Sequence, residues 1–238
     1  MKIKLFIVLL FAPLMVLLLE NSAFSETTYV QSNDIYSTID TKISIDAMNI
    51  LQKGSLKEKN ALIKTITSNP GNYCPTTFIN LSQTLWKMDK KDEADFWYQA
   101  AMLRTYYDKY RCTDKSVSDT PELLRMYIPF ELRLYEYEDL ARWKNTIKMV
   151  VKWDDATPYN YDQRWINLHG MGAFTSSSDE VKPLSIPKEE WPQLAEKTRK
   201  WFLAESLKYI DELTPAEVKK SKDYYKRLIN EQKKNKLK

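Results

Sequence analysis

The clearest pattern of apolar and polar positions lies mid-chain. Phe78, Leu81, Leu85 and Met88 recur at three- and four-residue steps, which predicts a helix over about residues 76–88, just after Pro75. Asp89, Lys90 and Lys91 read as a short polar turn. A second helix is expected from near Asp92, a suitable N-cap. It carries Phe96, Trp97, Tyr98, Ala100, Ala101, Met102, Leu103, Tyr106, Tyr107 and Tyr110. That set is apolar nearly all round, so this helix should be central and covered on more than one side. So short a turn forces the two helices to lie antiparallel.

Weaker helical patterns flank this hairpin. Ser44 can cap a short helix with Ile45, Met48 and Leu51, ended by Gly54. Ser55 and Glu58 form a capping-box pattern for the next, which Asn69, Pro70 and Gly71 break. Thr120 and Pro121 start another, with proline in the tolerated first turn. Residues 131–139, ELRLYEYED, alternate like a strand, but one strand without a partner would not persist. Leu140, Trp143, Ile147, Val150 and Val151 predict an amphipathic helix to about Trp153, with Asp154 and Asp155 at the wrong end for its dipole. A solvated turn is the expectation there. Residues 157–192 lose the pattern, and connections of that length are usually functional or disordered. Two helices close the chain, the last opened by Thr214, Pro215 and Glu217. The expected fold is all-α: a compact bundle of helical hairpins with one long irregular loop.

Composition agrees. Among 238 residues only 4 are glycine while 29% are charged, which fits a helical protein. The net charge of +4 is spread along the chain, with the one dense basic run at residues 233–238. A nucleic-acid binder would concentrate its basic charge on one face, so none is expected as a partner. Lys2 and Lys4, the apolar run 5–19, and the small residues Ala23 and Ser25 make a secretory signal expected to be removed as residues 1–25. The run is short of the roughly 20 residues a spanning helix needs, which argues against an uncleaved anchor, and no later segment could span a bilayer, so no stable membrane insertion is expected after its removal. Residues 26–238 are then a single helical domain with a mobile lead-in and a basic tail, periplasmic or secreted. In an oxidising compartment Cys74 and Cys112, one outside each end of the hairpin, are expected to form a disulfide. Two cysteines and one histidine give no zinc spacing, and no metal or cofactor is expected.

The hairpin resembles a tetratricopeptide-type unit through Leu81, Leu85, Asp92, Glu93, Ala94, Trp97, Tyr98 and Ala101. No second copy follows at a fixed period. Residues 93–114 and 153–172 together resemble exported bacterial proteins of uncharacterised function. That resemblance implies an exported helical protein and supplies no activity.

Candidate chemistry gathers at residues 159–169. Tyr159, Tyr161, Arg164 and His169 are the candidate binding residues, with Trp165 expected to be buried as their anchor. One helical turn would bring Asp162, Trp165 and His169 to one face. Three functions stay open: a module that binds another protein, of the immunity type that neutralises a toxin; a hydrolase using His169 with Asp162; and a structural component of the envelope. No catalytic residue is assignable, since no nucleophile motif accompanies the histidine.

Overall fold

The computed structural model describes residues 35–175 and 183–235. The expected signal, most of the lead-in and the last three residues of the basic tail lie outside that set. The chain divides into two units, 1–31 and 32–238, and every described residue belongs to the second.

The fold is all-α, and no strand occurs among the described residues. The helices are α1 (Lys42–Lys53), α2 (Leu56–Ser68), α3 (Pro75–Lys87), α4 (Lys91–Arg111), α5 (Thr120–Arg125), α6 (Phe130–Glu138), α7 (Leu140–Asp155), α8 (Gly172–Thr175), α9 (Trp191–Asp211) and α10 (Pro215–Asn235). α3 and α4 form the antiparallel hairpin, joined by a turn in which Asp89 takes φ 59°. A short polar side chain tolerates that left-handed conformation. α4 is the central rod, touched by α3, α5, α6, α7 and α9, while α1 covers α3 and α10 lies on α6. Its buried set, from Ala94 to Arg111, spans the whole circumference, as its all-round apolar pattern requires.

Several local signals are realised as written. Ser55 and Glu58 make a reciprocal capping box, and Thr214 and Glu217 do the same at α10. Elsewhere the ends shift. α1 starts at Lys42, so Ser44 is inside the helix, where its hydroxyl accepts the Cys74 N–H at 2.9 Å. α4 starts at Lys91, so Asp92 sits in its first turn, not at the cap. Residues 131–139 are helical through Glu138: Leu132, Glu136 and Tyr137 form the buried face of α6.

The disulfide is absent. Cys74 and Cys112 are both free and both buried. α4 has 21 residues against 13 in α3, an overshoot of eight, or roughly 12 Å at 1.5 Å per residue. Cys112 is thereby carried beyond the start of α3, and its thiol donates to Asn167 Oδ1 at 3.1 Å.

Candidate functional site

Three of the buried charges of α4 gather in its C-terminal half: Arg104, Asp108 and Arg111. Their four- and three-residue spacing places them on one face, and each is at most 2% exposed. They fasten the loop that follows α7. Arg104 pairs through Nε with Asp154 Oδ1 at 2.9 Å, and its Nη2 donates to the carbonyls of Thr157 at 3.2 Å and Pro158 at 3.4 Å. The guanidinium is sandwiched between the rings of Trp153 and Tyr159, each 4.6 Å away. Asp154 is therefore no solvated turn residue; it is the buried counter-ion of α4. Tyr159 donates to it at 2.5 Å, and Arg199 on α9 stands 3.4 Å away.

One turn along, Asp108 pairs with Arg111 and accepts hydrogen bonds from Tyr161 Oη at 3.0 Å and Trp165 Nε1 at 2.6 Å. Burial pushes the Asp108 pKa up, against the pull of Arg111. Arg111 in turn lies over Tyr107 at 4.0 Å and Trp191 at 4.7 Å. The loop also docks on backbone. Asn160 and Tyr161 both donate to the Gly71 carbonyl, at 2.8 and 3.1 Å, and a Cβ on Gly71 would stand 2.6 Å from the Pro158 oxygen. Only glycine allows that approach.

The candidate binding residues divide on this frame. Trp165 is buried, as its size suggests. Tyr161 is also buried, at 7% exposure, which leaves little of this candidate binding residue open to a partner. Tyr159 is half-buried, and its hydroxyl is committed to Asp154. Arg164, half-buried, pairs with Asp162 at 2.6 Å and donates to the Thr38 carbonyl at 2.8 Å, which ties down residues 35–38. Asp162 caps the 3-10 helix Gln163–His169 and accepts the Asp40 N–H at 3.0 Å. Burial alone would raise its pKa, but the Arg164 contacts and backbone donors outweigh it and hold the carboxyl below its usual range. His169 keeps its ring edge-on to Trp165 at 5.5 Å, and partial burial of the ring lowers its pKa. No hydrogen bond joins His169 to Asp162 among the described residues. The segment is 3-10 instead of α: His169 still meets Trp165, but Asp162 turns to Arg164 and the Asp40 N–H, so the three side chains do not share one face.

Above this frame opens a groove of about 830 Å³. One wall is residues 160–164, another is α1 with Ile43 and Ser44, and the third is residues 183–188 with Trp191. Tyr161 and Arg164 line it; Tyr159 and His169 do not. Among the described residues no three His, Cys, Asp or Glu side chains gather as metal ligands, and no helix is long and apolar enough to cross a membrane.

A second buried polar cluster lies between α4, α6 and α7. Asp95 and Glu136 are both essentially unexposed; Glu136 stands 2.5 Å from Arg133 and accepts from Gln99 at 2.5 Å. Burial pushes Asp95 up to about 6. Burial, with the negative Asp95 beside it, pushes Glu136 up to about 8 despite Arg133. Burial thus disfavours charge on both carboxyls, and a charge on Asp95 raises the cost of ionising Glu136.

The chain matches no protein-family model, no curated protein and no solved structure.

Proposed function

We propose that the chain is an exported helical module, periplasmic or secreted, that binds another protein, of the type that neutralises a toxin, and that the groove is its recognition surface. The observation carrying this reading is the fastening of the groove wall from below. Arg104 and Asp108, the latter paired with Arg111, hold residues 157–165 by hydrogen bonds to two side chains and two carbonyls. A wall fixed before the encounter loses little entropy on binding, which favours recognition. Arg164 and Trp191 at its rim are of the residue types that dominate interface energies. A hydrolase would need His169 oriented by a partner and facing the groove, and it meets neither condition.

The reading is tested by capture from the envelope fraction of the source cells, with the purified protein and its Lys188→Glu and Arg164→Ala variants as baits. A protein retained by the parent and lost from Lys188→Glu, with the melting temperature unchanged, supports it. Equal retention by parent and both variants contradicts the groove as the recognition surface.

A further inference from the structure

The groove has a backbone feature as well as its side chains. Residues 183–187, Pro-Leu-Ser-Ile-Pro, pass beside the end of α4, with a bend at Leu184 and a single bridge residue at Ser185. The Thr113 N–H donates to the Leu184 carbonyl at 3.3 Å, and the Ile186 N–H donates to the Arg111 carbonyl at 2.9 Å. Cys112 and Ser185 face each other between these bonds as an antiparallel bridge. In that pattern the facing residues are the pair that exchanges no hydrogen bonds, so their own N–H and C=O groups point away from each other. Cys112 turns its N–H back into α4, onto the Asp108 carbonyl at 3.0 Å. Ser185 has no such helix. Its backbone N–H and C=O meet no partner among the described residues.

The open side of this segment is the groove side. All five residues 183–187 line the groove, and none of Arg111, Cys112 and Thr113 does. Next to it stands Lys188, whose ammonium lies 5.9 Å from the Trp191 ring centre and has no carboxylate partner among the described residues. Trp191 is itself held, donating from Nε1 to the Ile186 carbonyl at 3.1 Å.

We infer that the groove takes an extended peptide segment of the partner protein, which adds as a short strand to Ser185 and sets an acidic side chain against Lys188. The inference rests on the protein-binding reading of this groove and names the form the partner presents. Backbone bonds to an exposed edge supply affinity in such recognition, and pockets for alternate side chains supply choice. Pro183 and Pro187 have no N–H to offer, so the edge is confined to the residues between them. The volume lies within the roughly 300–1,000 Å³ of pockets that enclose small ligands, enough for a short segment.

The test uses the ¹⁵N-labelled protein and a pool of blocked hexapeptides with Glu at the third position and β-branched residues alternating around it. A second pool carries N-methyl groups at alternate positions, and a third has Lys in place of Glu. The first pool should move the Ser185 amide resonance and slow its hydrogen exchange. The second and third should bind about tenfold or more weakly, the loss expected for one or two hydrogen bonds or a charge contact. With Ser185→Ala as the control for the hydroxyl, which accepts Gln163 Nε2 at 3.3 Å, Ser185→Pro removes the outward N–H, because Leu184 and Ile186 carry the bonds to α4. It should weaken the first pool to the same degree and leave the melting temperature unchanged. A Ser185 amide already protected in the free protein, or equal binding of the methylated pool, overturns the inference. A captured protein that depends on Lys188 yet leaves the Ser185 amide unmoved also overturns it, while leaving the protein-binding reading in place. Peptide binding at Ser185 without any captured protein would instead count against that reading alone.

Discussion

Replacing Arg104 with methionine removes a cation but keeps much of the stem's volume. The side chain is wholly buried, so nothing of the charge is shared with solvent. Three kinds of contact go at once: the pair with Asp154, two bonds to loop carbonyls, and the stacking between Trp153 and Tyr159. What remains is a carboxylate 2% exposed, with the Tyr159 hydroxyl and the more distant Arg199 as its partners. Breaking a buried pair from one side costs about 3–5 kcal/mol, because the survivor stays desolvated. Arg199 takes up part of that charge, which argues for the lower end, about 3 kcal/mol. For a domain of this size that is a fall of roughly 6–12 °C in melting temperature. The double variant Arg104→Met with Asp154→Leu should recover most of the loss, since apolar replacement of a whole buried pair is often neutral. Urea denaturation followed by circular dichroism on the parent, both single variants and the double variant gives the coupling energy directly. A single variant within about 0.5 kcal/mol of the parent, or additive single losses, would refute this view of Arg104.

Three further outcomes follow. Trp165→Ala should cost about 3–5 kcal/mol as a core aromatic truncation, and Trp165→Phe about 1–3 kcal/mol, for the donor taken from Asp108; chemical denaturation separates the two. Both thiols should be alkylated in the unreduced, denatured protein, and neither in the native protein at neutral pH, where burial lifts Cys74 to about 12 and Cys112 to about 11; peptide mapping reads this. Because Glu136 is raised in the folded state, its contribution is full below its ordinary 4.5 and is lost as pH rises through about 8. Unfolding free energy should fall between about pH 5 and 8, and Glu136→Gln should flatten that slope.

The helices were legible in the sequence because their signals are local. Capping boxes at Ser55 and Thr214, and the three–four steps of Phe78, Leu81 and Leu85, depend on neighbours a few residues away. The site was legible only as a segment. Residues 159–169 lack a periodic pattern because their order comes from α4, some fifty positions earlier, through Asp108 and the stacking of Arg104 on Tyr159. Two signals were present. Arg104, Asp108 and Arg111 lie on a helix whose other positions mark it as central, so their charges had to find partners inside. Asp154 stands at the wrong end of its helix dipole, which is a cost unless a cation meets it. The cysteines misled because compartment chemistry constrains which bonds persist, whereas helix length decides which sulphurs meet. Residues 183–187 carried no signal at all, since an edge of one residue is defined by its partner strand.

The groove keeps its shape only if α4 holds its loop wall. Amide hydrogen exchange across residues 159–169, in the parent and in Asp108→Asn, measures this most directly. Asp108 receives the Tyr161 hydroxyl and the Trp165 indole, so weakening it should release that segment first. The prediction is slow exchange in the parent and a selective loss of protection over 161–167 in the variant, with α6 and α10 unchanged. Exchange in the parent at the rate of an unstructured chain, or uniform loss throughout the variant, would contradict it.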